Sequence, residues 1–261
     1  MKDDECEEDV RAYLQRNLQG VRCDLLRFPG NYGDALILRG TREILNSAGV
    51  EYRLIQCDNA PASDTLIVDG GGNLVDLYDD VRSFLESVGK HYSRIVILPH
   101  TITGARPLAC LRELGHRVVV FCRERVSYAA VRASAPQAEV FLWHDCALFA
   151  KVQRRGGTTA EPNSILFAYR TDAEASSSAR SCVRGNRDLS LEGNAMSPLD
   201  HIVEVLGRYE RVFTDRLHIG IAASLLDCEV VLYPNSYYKN RAVYEYSLVS
   251  RKNITFRIDD M

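Results

Sequence analysis

No apolar run in the 261-residue sequence approaches the roughly 20 residues that a membrane-spanning helix needs. Positive charge is not in excess either. A formal net charge of -3 offers no general attraction to nucleic acid or anionic lipid, so any anion site must be a local gathering of Arg, Lys and His. There is no C-x-x-C pair. The cysteines Cys6, Cys23, Cys57, Cys110, Cys122, Cys146, Cys182 and Cys228 are widely spaced and several lie in apolar runs. That pattern predicts reduced, mostly buried thiols of a cytoplasmic protein rather than zinc ligands or a disulfide frame. No D-x-D pair occurs, and Asp76, Asp79 and Asp80 read as a solvated helix start, so no metal is expected. The acidic opening Met1 to Asp9 argues against a secretory signal. What remains is an ordinary globular composition, 46% hydrophobic and 26% charged, long enough for one large domain or two small ones.

Along the chain, short apolar strands alternate with helical patterns. A helix is expected within Glu7 to Leu18, with Val10, Tyr13 and Leu14 inward. A strand, Cys23 to Phe28, leads through Gly30-Asn31-Tyr32-Gly33-Asp34 into a helix from Ala35 to Ala48, with Asp34 as a candidate N-cap. Thr65 to Asp69 leads into Gly70-Gly71-Gly72-Asn73, where no correctly spaced third glycine completes a dinucleotide fingerprint. Ser93 to Pro99 is a strand followed by His100-Thr101, and Arg117 to Cys122 leads into Arg123-Glu124-Arg125, read as holding an internal Arg123–Glu124 ion pair. After a polar linker at 151–163, the alternation resumes with Ser164 to Ala168 and Tyr169-Arg170-Thr171-Asp172. The polar run from Ala173 to Asn194 reads as a mobile loop or partly disordered segment. This organisation predicts an α/β fold of two Rossmann-like halves, 1–150 and 164–261, with a cleft between them in a GT-B-like arrangement.

The chemistry concentrates where strands hand over to helices. In Thr214-Asp215-Arg216-Leu217-His218, a strand ends and a helix begins, so Arg216 and His218 join the backbone N–H groups and positive dipole of a helix N-terminus. An anionic substrate suits that place; the plainer alternative is a capping Asp215, a surface ion pair for Arg216 and a packed His218. Two glycines at 30 and 33 allow close backbone approach, with Asn31 and Asp34 offering polar groups. Asn31, Asp34, Asn73 and His100 suit sugar hydroxyls, while Arg170, Arg216, His218 and Lys239 suit a small multiply charged anion. His100 and His144 also have a plain structural reading.

Taken together in this order, Gly30-Asn31-Tyr32-Gly33-Asp34, Gly70-Gly71-Gly72-Asn73, Arg123-Glu124-Arg125 and Arg216-Leu217-His218 resemble the polysaccharide pyruvyl transferase family, from about Phe28 to about Leu248. The resemblance implies an enzyme that moves the enolpyruvyl group of phosphoenolpyruvate onto sugar hydroxyls as a ketal, with no separate cofactor. It further implies that Arg170 and Arg216 bind the donor anion, that His218 is the general acid, and that Asp34 orients or deprotonates the acceptor hydroxyl. Asn31, Asn73, Lys239 and His100 are expected to bind substrate. The acceptor would be a sugar, free or lipid-linked, with transient contact at a membrane surface and no nucleic acid. Oligomeric state is not legible. Two alternatives stand beside this: a GT-B-type glycosyltransferase using a nucleotide-sugar donor, and a non-catalytic member that binds an anionic ligand.

Overall fold

The computed structural model describes residues 5–154, 160–176, 180 and 182–258. The chain divides into two compact units: residues up to Phe28 with Gly40–Phe149, and Pro29–Arg39 with residues from Ala150 on. The break between Phe149 and Ala150 falls beside residue 150, the expected end of the N-terminal half. The assignment of Pro29–Arg39 is new, since it groups the Gly30–Asp34 turn with the C-terminal half. Of the expected linker, residues 155–159 lie outside the described residues. Arg154 is pinned, donating to the carbonyls of Leu226 (2.9 Å) and Gly207 (2.8 Å).

In the first unit, α1 (Val10–Leu18) starts at Asp9, whose carboxylate accepts the Arg11 and Ala12 N–H groups, and buries Val10, Tyr13, Leu14 and Leu18. Strands β1 (Arg22–Leu26), β2 (Glu51–Ile55), β3 (Thr65–Val68), β4 (Gly71–Leu74), β5 (Arg94–Ile102), β6 (Val118–Cys122) and β7 (Glu139–Leu142) form a parallel sheet in the order β2-β1-β3-β5-β6-β7, with β4 against β5. Helices α3 (Asp80–Val88), α4 (Ala105–Leu114) and α5 (Arg125–Ser134) alternate with these strands, and α2 (Tyr32–Ser47) belongs to this unit only from Gly40 on. β3 and β6 are buried at every residue, as a sheet covered on both faces requires.

Two turns expected after strands are themselves strand. β5 runs through Pro99 to Ile102, because its register against β6 shifts between Ile97 and His100 and a proline is tolerated at such an irregularity. His100 therefore sits in the sheet. Asn73 sits in β4.

The expected Arg123–Glu124 pair is not formed. The fully buried Arg123 guanidinium reaches Asp145 (2.7 Å) and the Thr101 hydroxyl (2.8 Å), while Glu124 is the N-cap of α5 and accepts from the Ser127 N–H and hydroxyl. Burial raises the Glu124 carboxyl above its ordinary range, opposed by the Ser127 bonds and the charge of Arg123. Removing one partner of a buried pair strands the other's charge. Asp145→Ala should therefore cost about 3–5 kcal/mol, against about 1 kcal/mol for the cap variant Glu124→Ala. Urea unfolding of the two variants checks this; the reverse order would refute the pairing.

In the second unit, β8 (Ile165–Phe167), β9 (Arg211–Thr214), β10 (Glu229–Leu232) and β11 (Ile254–Phe256) form a parallel sheet ordered β11-β10-β9-β8. Helices α6 (Asp200–Leu206), α7 (Leu217–Leu225) and α8 (Lys239–Val243) follow β8, β9 and β10. Tyr169, Phe213, Val231 and Tyr233 pack as a buried cluster that Phe167 joins. Within the expected loop from Ala173 to Asn194, residues 177–179 and 181 lie outside the described residues. Its later described part is tied down: Arg187 N–H donates to the Phe167 carbonyl (2.9 Å), and Asn186 bonds both backbone groups of Tyr169.

Candidate active site

Two strand ends of the second unit are locked together before any side chain reaches outward. Thr214, the last residue of β9, donates its hydroxyl to the Ala168 carbonyl (2.7 Å) and accepts the Arg216 N–H (3.0 Å). Asp215, with no exposed surface, accepts the Arg170 N–H (2.7 Å), and the Asn240 amide holds the carbonyls of Asp215 (2.6 Å) and Tyr233 (2.9 Å). Burial pushes the Asp215 carboxyl up, against the bond and charge from Arg170. Arg216 is the N-cap of α7, in extended backbone, and His218 is its second helical residue. Both places follow from the sequence pattern, since the apolar run ends at Thr214 and helical spacing resumes at Leu217.

Arg170 and Arg216 are each about 5% exposed, and every guanidinium nitrogen of both has a carboxylate partner. Arg170 gives Nε and Nη2 to Asp172 (2.7 and 3.1 Å) and Nη1 to Glu174 (2.9 Å). Arg216 gives Nε and Nη2 to Asp188 (2.9 and 2.6 Å) and Nη1 to Asp172 (2.8 Å). One carboxylate is thus shared by two guanidinium forks. Partial burial would raise the Asp172 carboxyl, but the Arg170 bond and the charges of Arg216 and Arg170 outweigh it and hold it at about 2. The bridge therefore stays ionised across the working range of an enzyme and would be lost only as pH falls from about 4 toward about 2. Lys239, the first residue of α8, binds Glu174 (2.6 Å).

The Gly30–Asp34 turn belongs to this same unit. Asp34 is not the N-cap. Asn31 is: its side-chain oxygen accepts the Gly33 N–H (2.8 Å) while Asp34, one turn in, accepts the Asn31 N–H (2.8 Å), a reciprocal capping box. Gly30 leaves room for the Asp34 carboxylate, since a Cβ there would lie 2.1 Å from Oδ2. At Gly33 a Cβ would lie 2.8 Å from Nδ1 of His218 and 3.0 Å from Oδ1 of Asn31. The imidazole is thus packed against bare backbone, and Asn31 and His218 flank one glycine. Tyr32 is held in turn by a ring stack on His201 (6.1 Å) and by Gly193, whose Cβ would meet the Tyr32 ring at 2.4 Å.

The structure brings Asn31, Asp34, Arg170, Arg216, His218 and Lys239 into one compact unit and leaves Asn73 and His100 in the other. His100 has no exposed surface and its Nε2 lies 2.8 Å from Oδ1 of Asn73; burial, then the charge of Arg123, lowers its pKa to about 3. A neutral, fully enclosed His100 holds the glycine strand and presents nothing to a substrate. The sequence reading missed Asp172, Glu174 and Asp188. The alternation of acids after Arg170 was a usable sign for the first two, whereas nothing linked Asp188 to an arginine 28 residues away.

Paired buried guanidinium groups and a histidine at a helix N-terminus are set at strand ends of a parallel sheet, the end at which open α/β sheets carry their ligand sites. A family model described as polysaccharide pyruvyl transferase matches residues 31–237. The chain is 30% identical to the Bacillus subtilis (strain 168) protein named "Putative pyruvyl transferase EpsO", over 81% of this chain and 80% of that one. It is also similar to a crystal structure of a functionally uncharacterised Klebsiella pneumoniae subsp. pneumoniae NTUH-K2044 protein, with a TM-score of 0.74, 28% identity, and coverage of 91% of this chain and 93% of that one. The chain belongs to the polysaccharide pyruvyl transferase family, and it is a transferase. Among the described residues, no helix is long and apolar enough to cross a membrane.

Gly33→Ala adds one methyl group where the imidazole of His218 already sits, at a helical position where alanine is otherwise favoured by about 0.5–1 kcal/mol. The variant should lose roughly tenfold to a hundredfold in kcat with little change in thermal midpoint. Steady-state kinetics beside a melting curve checks this, and an unimpaired variant would show that His218 does not depend on that contact.

Proposed function

We propose that the pyruvyl donor is phosphoenolpyruvate and that the acceptor is a pair of hydroxyls on a sugar of a polysaccharide or its precursor, joined as a ketal. One observation carries this reading: the guanidinium groups of Arg170 and Arg216 are close enough to share a single carboxylate, that of Asp172. Two forks so placed are suited to the carboxylate and phosphate of a compact polyanion.

In the proposed reaction His218 delivers a proton to the donor's methylene carbon, which makes the adjacent carbon electrophilic. One acceptor hydroxyl adds there and phosphate leaves; the second hydroxyl completes the ketal. Of the two protons released by the hydroxyls, one replaces the proton that His218 gave and the other leaves with phosphate. Asp34 orients or deprotonates the acceptor hydroxyl through Oδ1, its Oδ2 being committed to the Asn31 N–H. Asn31 lies beside Gly33 to orient sugar hydroxyls, and Lys239 adds positive charge through the Glu174 network. No metal enters these steps. The wide spacing of the eight cysteines, five of them buried, suits a reducing, cytoplasmic setting, with the acceptor free or lipid-linked at a membrane surface.

Phosphoenolpyruvate should raise the melting temperature of the protein where a nucleotide sugar does not. His218→Ala should keep the fold and the donor-induced shift while phosphate release falls by roughly a hundredfold or more. Thermal shift and a phosphate-release assay with candidate sugars check both; stabilisation by a nucleotide sugar alone, or full turnover without the imidazole, would remove the assignment.

A further inference from the structure

Among the described residues, three cations, Arg170, Arg216 and Lys239, are ion-paired with three carboxylates, Asp172, Glu174 and Asp188. With every guanidinium nitrogen already paired and both side chains almost fully buried, a donor anion cannot simply be added. It has to replace one of the carboxylates.

The three are not equally replaceable. Glu174 is 5% exposed at its side chain and is held also by Lys239 and Asn235 (3.2 Å). Asp188 is 7% exposed and also takes the Thr171 N–H (2.8 Å) and hydroxyl (3.1 Å). Asp172 is 35% exposed at its side chain, and among the described residues only the Glu174 N–H (3.1 Å) is bonded to it besides the two arginines. It is the carboxylate that both arginines share and the one that solvent can reach.

We propose that Asp172 is an internal stand-in for the donor's carboxylate: phosphoenolpyruvate binds by exchanging with Asp172 between Arg170 and Arg216. Asp172 thereby sets donor affinity. This rests on the donor reading above and adds to it the group displaced and the place the incoming carboxylate takes. Exchange keeps the arginines paired in both states, which avoids the cost of two unpaired buried charges. It also lowers apparent affinity in proportion to the fraction of molecules whose arginines are released from Asp172. Because the bridge carboxyl titrates at about 2, this competition does not relax across neutral pH.

The test uses the full chain with phosphoenolpyruvate. Asp172→Asn keeps the shape and removes the competing charge, so calorimetric titration should give a Kd roughly tenfold below that of the wild type. In the wild type, hydrogen exchange at the Glu174 amide should speed up when the donor binds, because that N–H loses its acceptor; a bound ligand that left Asp172 in place would slow it. Should the wild type bind the donor with a protected Glu174 amide, or the variant bind no more tightly, the exchange is refuted while the arginine seat stands. No binding to the wild type, or binding that survives Arg216→Ala undiminished, would refute the seat and the exchange together. If Asp172→Asn does not fold, the wild-type amide readout decides alone.

Discussion

Two guanidinium groups with almost no contact with solvent must be neutralised in place, and the second unit is arranged around that requirement. A buried charge without a partner costs several kcal/mol, so Asp172 and Glu174 from the segment just after Arg170 and Asp188 from further along the chain meet Arg170 and Arg216. The corner of Thr214, Asp215 and Asn240 fixes the backbone from which the two arginines extend. The Asp188 carboxylate in turn anchors Thr171, which keeps the segment after β8 beside the segment before α7. The proposed donor seat follows from the same arrangement, because a pair of forks that can hold one carboxylate can hold another.

Small residues do the complementary work. Gly30 admits the Asp34 carboxylate, Gly33 admits the His218 imidazole, and Gly193 admits the Tyr32 ring. Each contact uses the absence of a Cβ, and each falls on the turn that carries Asn31. The capping box between Asn31 and Asp34 then sets where α2 starts. A short motif with two glycines thus serves helix capping and side-chain packing at once, and it is grouped with the C-terminal half of the chain although it lies near the start of the sequence.

Much of this could be read from local pattern. Alternating apolar strands and amphipathic helices gave the parallel α/β class, and the break in periodicity at Thr214 placed Arg216 and His218 at a helix N-terminus. What escaped was set by tertiary contact. Pro99 suggested the end of a strand, but a register shift lets β5 continue and carries His100 into the interior. Arg123 and Glu124 are neighbours of opposite charge, yet Glu124 is committed to capping α5 and Arg123 pairs with Asp145, 22 residues on. Asp34 looked like an N-cap because it precedes the apolar run, whereas the first turn begins three residues earlier at Asn31. The link between Asp188 and Arg216 leaves no local trace at all.

The central claim is that Arg170 and Arg216 together form the seat of the donor's carboxylate. A crystal structure of the protein with phosphoenolpyruvate bound tests it most directly. The account predicts the donor carboxylate between the two guanidinium groups, with Asp172 turned away and Asp188 and Glu174 still in place. A donor bound elsewhere, with both arginines still joined by Asp172, would contradict it.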